Sequence, residues 1–254
     1  MARFKAVSHE DRLTLVEHLD ELRSRLIVSI AVFVVAFALC FWQNDLLLRL
    51  ANNPLPPGFK PITFSVAEPF TTTVTIAAYG AILLSLPIIL YQLYAFVLPA
   101  FSHRERRMIL PLLALIPVLF IAGVVFAYFV VMPAATHFLL NFNKHQFNIQ
   151  VRARDYYSFF ATTLLAVGII FQVPVGILAV TRLGIVTPQQ LSKNRRYAYL
   201  VIAVVAAALP GVDPVTMLLE MVPLLLLYEL SIVLARLFGT PGSTPLSEPT
   251  TQER

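Results

Sequence analysis

The sequence predicts an all-α integral membrane protein with six transmembrane helices. Three observations carry this. The 254 residues are 58% hydrophobic and only 13% charged, about half the charged share of soluble domains. The mean hydropathy is +0.76. The charge shortage runs the whole length of the chain and is broken by short polar segments, which is the pattern of a polytopic membrane protein.

A span needs about 20 mostly apolar residues. The sequence places such runs at Leu26–Trp42, Phe70–Leu98, Ile109–Met132, Tyr157–Leu183, Tyr197–Leu209 and Val215–Leu237. Backbone polar groups in lipid must be satisfied within the segment, so each run is read as a helix. The runs are too long and too uniformly apolar for barrel strands. Phe70–Leu98 would extend about 43 Å, longer than a ~30 Å hydrocarbon core, so it must tilt or bend, with Pro87 a candidate kink. Tyr197–Leu209 would reach only about 20 Å. No internal repeat is evident.

Local punctuation supports these boundaries. Asn53-Pro54-Leu55-Pro56-Pro57-Gly58 reads as a loop. Gly184 is a candidate C-cap for the fourth span, and Thr187-Pro188 reads as an N-cap followed by proline at the first helical position. Pro210-Gly211 ends the fifth span and Asp213-Pro214 opens the sixth. The organisation expected is an amphipathic cytoplasmic segment 1–25, a membrane domain 26–238 and a disordered tail 239–254, rich in Pro, Ser and Thr. No cleavable signal peptide is evident in the N-terminal segment.

Lysine and arginine set the orientation. With the N-terminus inside, 14 of the 19 fall in cytoplasmic segments, and the even helix count puts both termini in the cytoplasm. The net charge of +5 therefore reflects membrane topology rather than a nucleic-acid surface.

Chemical motifs are sparse. The single cysteine, Cys40, lies in an apolar run and reads as a packing residue. The five histidines show no metal-ligand spacing, and there is no GxGxxG, P-loop, GxSxG or HExxH. An enzyme is not expected, nor a bound cofactor. From Thr14 to Leu26 the chain reads as an amphipathic helix with Leu15, Leu19, Leu22 and Leu26 on one stripe. That segment should lie at the inner interface and feed the first span. Glu21 and Arg25 are spaced for an i,i+4 pair. Ser102 and Glu105 are spaced for a capping box opening the third span, and a carboxylate there could also accept a guanidinium bidentately.

An ordered set of motifs resembles the TatC family. His18-Leu-Asp-Glu21-Leu-Arg23-Ser-Arg25-Leu26 is similar to its HLxELRxRL signature. Ser85-Leu-Pro87 through Phe96-Val-Leu-Pro99 resembles its second-helix segment, and Glu105-Arg106-Arg107 followed by Pro111 its first cytoplasmic loop. Phe126-Ala-Tyr128-Phe129 through Pro133, Phe171-Gln172-Val-Pro174, and Pro210 with Asp213 continue the series to about Phe238.

The resemblance implies a concave bundle in the cytoplasmic membrane. It also implies a receptor for twin-arginine signal peptides of folded precursors, acting as core subunit of a translocase driven by the proton-motive force. Implied partners are TatB-like and TatA-like single-span subunits and further copies of the chain in a TatBC-type complex; nucleic acid is not among them. Glu21 and Glu105 match the family's signal-binding glutamates, with Arg23 and Phe96 beside them. Arg23 and Arg25 would orient the carboxylates or touch lipid headgroups.

The sequence also departs from the family pattern. Gln172 stands where the family usually carries a glutamate, and Met217 where a glutamine is common. Glu220 stands where the family is usually apolar. Gln172, Asp213 and Glu220 are thus expected as intramembrane polar positions. The pairing of a carboxylate lost at Gln172 with one gained at Glu220 suggests a relocated group; the plainer reading of Glu220 is a side chain reaching the outer interface, and that of Asp213 a helix cap. Glu229 is expected to face the bundle and serve packing. A small-solute transporter and a membrane scaffold without cargo are the rival classes.

Overall fold

A computed structural model gives the architecture. It describes residues 9–97, 103–182, 184–210 and 213–238, with side chains described at 19–96, 114–182, 184–210 and 213–237. The chain forms α1 (His9–Trp42), α2 (Asn44–Asn52), α3 (Glu68–Val97), α4 (His103–Phe126), a π-helical turn (Ala127–Val131), α5 (Met132–Asn141), α6 (Ala153–Ile170), α7 (Val173–Arg182), α8 (Pro188–Lys193), α9 (Arg195–Ala208) and α10 (Pro214–Phe238).

Among the described residues, five stretches are long and apolar enough to cross a membrane: Leu19–Trp42, Glu68–Phe96, Ala114–Asn141, Ala153–Arg182 and Pro214–Leu237. The expected fifth span corresponds to α9, whose 14 residues make it the short helix anticipated. The N-terminal amphipathic segment is joined to the first span in one uninterrupted helix. Leu19, Leu22 and Leu26 of the predicted stripe are all exposed, whereas Glu21 and Arg25 are half-buried. α2 was not among the predicted elements.

Two expected single helices are interrupted, each beside a proline. The third span continues past Met132 to Asn141 through the π-helical turn. Pro133 has no N–H to donate four residues back, and the wider turn absorbs the mismatch. The fourth span is not one helix over Tyr157–Leu183 but α6 and α7, parted at Phe171–Gln172. Pro174 removes the donor that the Ile170 carbonyl would otherwise receive. α3 runs through Pro87 without interruption.

Capping signals read from the sequence are present. The Gly184 N–H donates to the Thr181 carbonyl and the Ile185 N–H to Val180, with Gly184 at φ +72°: a Schellman ending. Thr187 and Gln190 form a reciprocal capping box at α8. Asp213 Oδ1 accepts from the Thr216 N–H at 2.8 Å and caps α10.

α1 packs along α3, α4 crosses α6, and α10 packs on α7 and α9. α4 and α6 approach each other closely at two glycines. A Cβ on Gly123 would lie 3.1 Å from the Gly168 Cα, and one on Gly168 would lie 2.7 Å from the Phe120 ring. Small residues let backbones in lipid approach this closely. At the end of the molecule holding α2, hydroxyls tie the segment after the first span to the bundle. The Tyr156 hydroxyl donates to the Ala51 carbonyl, that of Tyr128 to Leu50, and that of Thr136 to Pro54. There too Arg152 Nε donates to Glu68 Oε1 at 2.8 Å, while the Glu68 carboxylate also accepts from the Phe64 N–H. The Glu68 carboxylate in turn holds the Arg152 guanidinium even more firmly protonated than usual. Between α1–α3 and α4–α6 lies an open apolar concavity of about 610 Å³, lined by Leu39, Cys40, Gly80, Tyr128, Phe129 and Leu164 among others.

Candidate signal-binding rim and intramembrane polar site

The rim is built by α1 and the far end of α3. Arg25 donates from both Nε (3.0 Å) and Nη2 (2.5 Å) to Glu21 Oε1, and from Nη1 to Gln92 Oε1 at 3.0 Å. The predicted i,i+4 pair is therefore formed, but as part of a three-residue cluster that crosses from α1 to α3. An open cavity of about 320 Å³ lies against it, lined by Glu21, Ser24, Arg25, Val28 and Gln92. The carboxylate of Glu21 and the amide oxygen of Gln92 are both acceptors of the kind a guanidinium binds, and Arg25 engages both.

Arg25 rather than Arg23 orients Glu21; Arg23 lies two residues on and is exposed. Phe96 is half-buried on the last described turn of α3 side chains, at this same end. Glu105 belongs to α4, which begins at His103, six residues after α3 closes at Val97, so its backbone returns to the Glu21 end. Its side chain, with the expected Ser102–Glu105 box, lies outside the described residues. Gln92 had no assigned role in the sequence reading. Its one signal was an amide in an otherwise apolar run, and the partner on α1 has no local trace.

The second site lies at the broken joint of the fourth span. Gln172 is buried, and its Nε2 donates to the Ile116 carbonyl of α4 at 3.2 Å; its Oε1 is buried with no hydrogen-bond partner. Glu220 is only 2% exposed. Both of its carboxylate oxygens lack a partner. This overturns the reading of Glu220 as reaching the outer interface, since no aqueous surface is open to it. It lines a small cavity of about 10 Å³ together with Phe126, Val167, Ile170, Phe171 and Leu209. Asp213, two helical turns earlier, is buried; Oδ1 caps α10 and Oδ2 has no partner. Glu229 behaves as a packing residue: it accepts from Arg195 Nη2 at 2.8 Å and from the Tyr199 hydroxyl at 2.6 Å, joining α10 to α9.

Five long apolar helices, two of them within proline-broken spans, with charge gathered at the helix ends, define a multi-pass integral membrane protein. A family model described as the Sec-independent protein translocase protein TatC matches residues 17–223. The Sec-independent protein translocase protein TatC of Carboxydothermus hydrogenoformans is 38% identical over 89% of this chain and 95% of its own length. That of Escherichia coli K12 is 36% identical over 93% of each. A crystal structure of the twin-arginine translocase receptor TatC superposes with a TM-score of 0.75 at 33% identity, covering 89% of this chain and all of that one; a second gives 0.71 at 34%. The chain belongs to the TatC family. It is a component of a protein translocase in the cytoplasmic membrane, and not an enzyme.

Proposed function

We propose that this chain is the receptor and core subunit of its twin-arginine translocase, binding signal peptides at the Glu21 rim. One observation carries the reading: Glu21 already accepts a guanidinium fork from Arg25, so the ligand's chemistry matches a geometry the rim adopts unaided. Exposed pairs contribute only about 0–1 kcal/mol each, so the apolar part of the peptide must bind helix surfaces as well. Glu105 supplies the second carboxylate, Phe96 an apolar contact, and Arg23 a headgroup contact. The bundle has six spans, with α9 as the short fifth, and both termini face the cytoplasm; the lysine and arginine asymmetry supports this. TatB-like and TatA-like single-span subunits and further copies of the chain complete the complex, and the proton-motive force drives export.

The test is site-specific crosslinking of a twin-arginine precursor to positions 21 and 105. Capture at both, abolished when the two arginines become lysines, is expected. Label confined to the 143–150 segment would overturn the assignment.

The intramembrane polar function belongs to Glu220, with Gln172 and Asp213 beside it as uncharged and capping groups. Burial of Glu220 against the broken fourth span supports this. Export by a Glu220→Gln variant is expected to slow at least severalfold, and wild-type rates would remove this part of the reading.

A further inference from the structure

We propose that Glu220 is a proton-binding site built into the bundle, a buried carboxyl that keeps its proton beside the proline-broken joint of the fourth span. The inference starts from what surrounds the carboxyl. Its two oxygens are buried and receive no hydrogen bond. An ionised carboxylate in that state carries an uncompensated charge in a medium of low dielectric, which is prohibitive for a stable fold. A protonated carboxyl instead offers one O–H and needs one acceptor.

The joint is a candidate source of that acceptor. Pro174 lacks the N–H that would satisfy the Ile170 carbonyl four residues back, and Ile170 and Glu220 line the same cavity. Its volume of about 10 Å³ is that of a single water, so the cavity has room for one bridging molecule. Proline thus opens a backbone acceptor in one helix where glutamate brings a donor from another.

No cation competes for this role among the described residues. On α10 itself, Asp213 is acidic and occupied in capping, Glu229 is held by Arg195 and Tyr199, the Tyr228 hydroxyl donates to the Leu191 carbonyl, and Arg236 donates to Ser192. On the packed neighbours, Arg182 closes α7, while Lys193 of α8 and Arg196 and Tyr197 of α9 stand at the Glu229 end, about 13 Å from Glu220 along the helix. From α5 the titratable group is His137, and from the π-helical turn Tyr128, whose hydroxyl is used on Leu50. From α6, Tyr156 and Tyr157 donate to Ala51 and Asn52, and Arg154 and Asp155 lie at its opposite end. None pairs with Glu220.

The inference does not depend on a transport role for Glu220, and one variant separates the two. Infrared spectra of the purified full chain in proteoliposomes at neutral pH should show the carbonyl stretch of a protonated carboxylic acid. That band should vanish in Glu220→Gln, persist in Glu229→Gln, and bleach reversibly as pH is raised. Glutamine keeps the shape, so circular dichroism is expected to match wild type; a band identical in wild type and Glu220→Gln overturns the proposal. If the band is lost while export by Glu220→Gln stays normal, the proton site stands and only its use in transport falls.

Discussion

The wall made by α1 and α3 and the crossing of α4 over α6 are built from the same apolar residue types, yet they meet differently. In the most apolar stretch of the first span 11% of residues are buried, against 44% in Ala153–Arg182. Where α1 meets α3 the near neighbours of Gly80 are the tips of Cys40 and Leu47, and the wall opens onto the apolar concavity. Where α4 meets α6 the glycines bring backbone against backbone. In lipid, apolar surface gains little by leaving the solvent, so close packing decides which helices hold together. The lesson is a division of labour. The α4–α6 crossing fixes the fold and positions the proline-broken joint, while the α1–α3 wall keeps surface free for a ligand or lipid.

The strongest way to break this contrast is Gly168→Leu. Its side chain would collide with Phe120 and Val124, and overpacking at a backbone crossing should cost about 3 kcal/mol or more. Thermal melting in detergent should show a large fall, with loss of the folded species on gel filtration. A single added methyl in the wall, Gly80→Ala, is expected to change stability by less than about 1 kcal/mol. Its Cβ would meet only flexible side-chain ends at 3.2 and 3.3 Å, and alanine's helix propensity offsets the contact. Equal losses in the two melting curves would erase the distinction.

Much of the fold was legible because its signals are local. Gly184, the Thr187 N-cap and the Asp213 cap each act within a few residues, and the structure forms all three. The Glu21–Arg25 pair was legible for the same reason. Pro133 and Pro174 carried local signals for the π-helical turn and the α6–α7 break, but a continuous apolar run outweighed them. Gln92 and Glu220 were opaque in a deeper sense. Helices apolar on every side, as α3 and α10 are, have no stripe to say which face turns inward.

Composition and segment length by themselves determined the membrane class and the approximate places of the long apolar spans, because lipid forces each segment to satisfy its own backbone. Only tertiary structure decided that Gln92 meets Arg25 and that Glu220 is sealed against the broken fourth span. Those facts depend on how each helix is rotated and how closely its neighbours approach, which is set by packing between segments far apart in the chain.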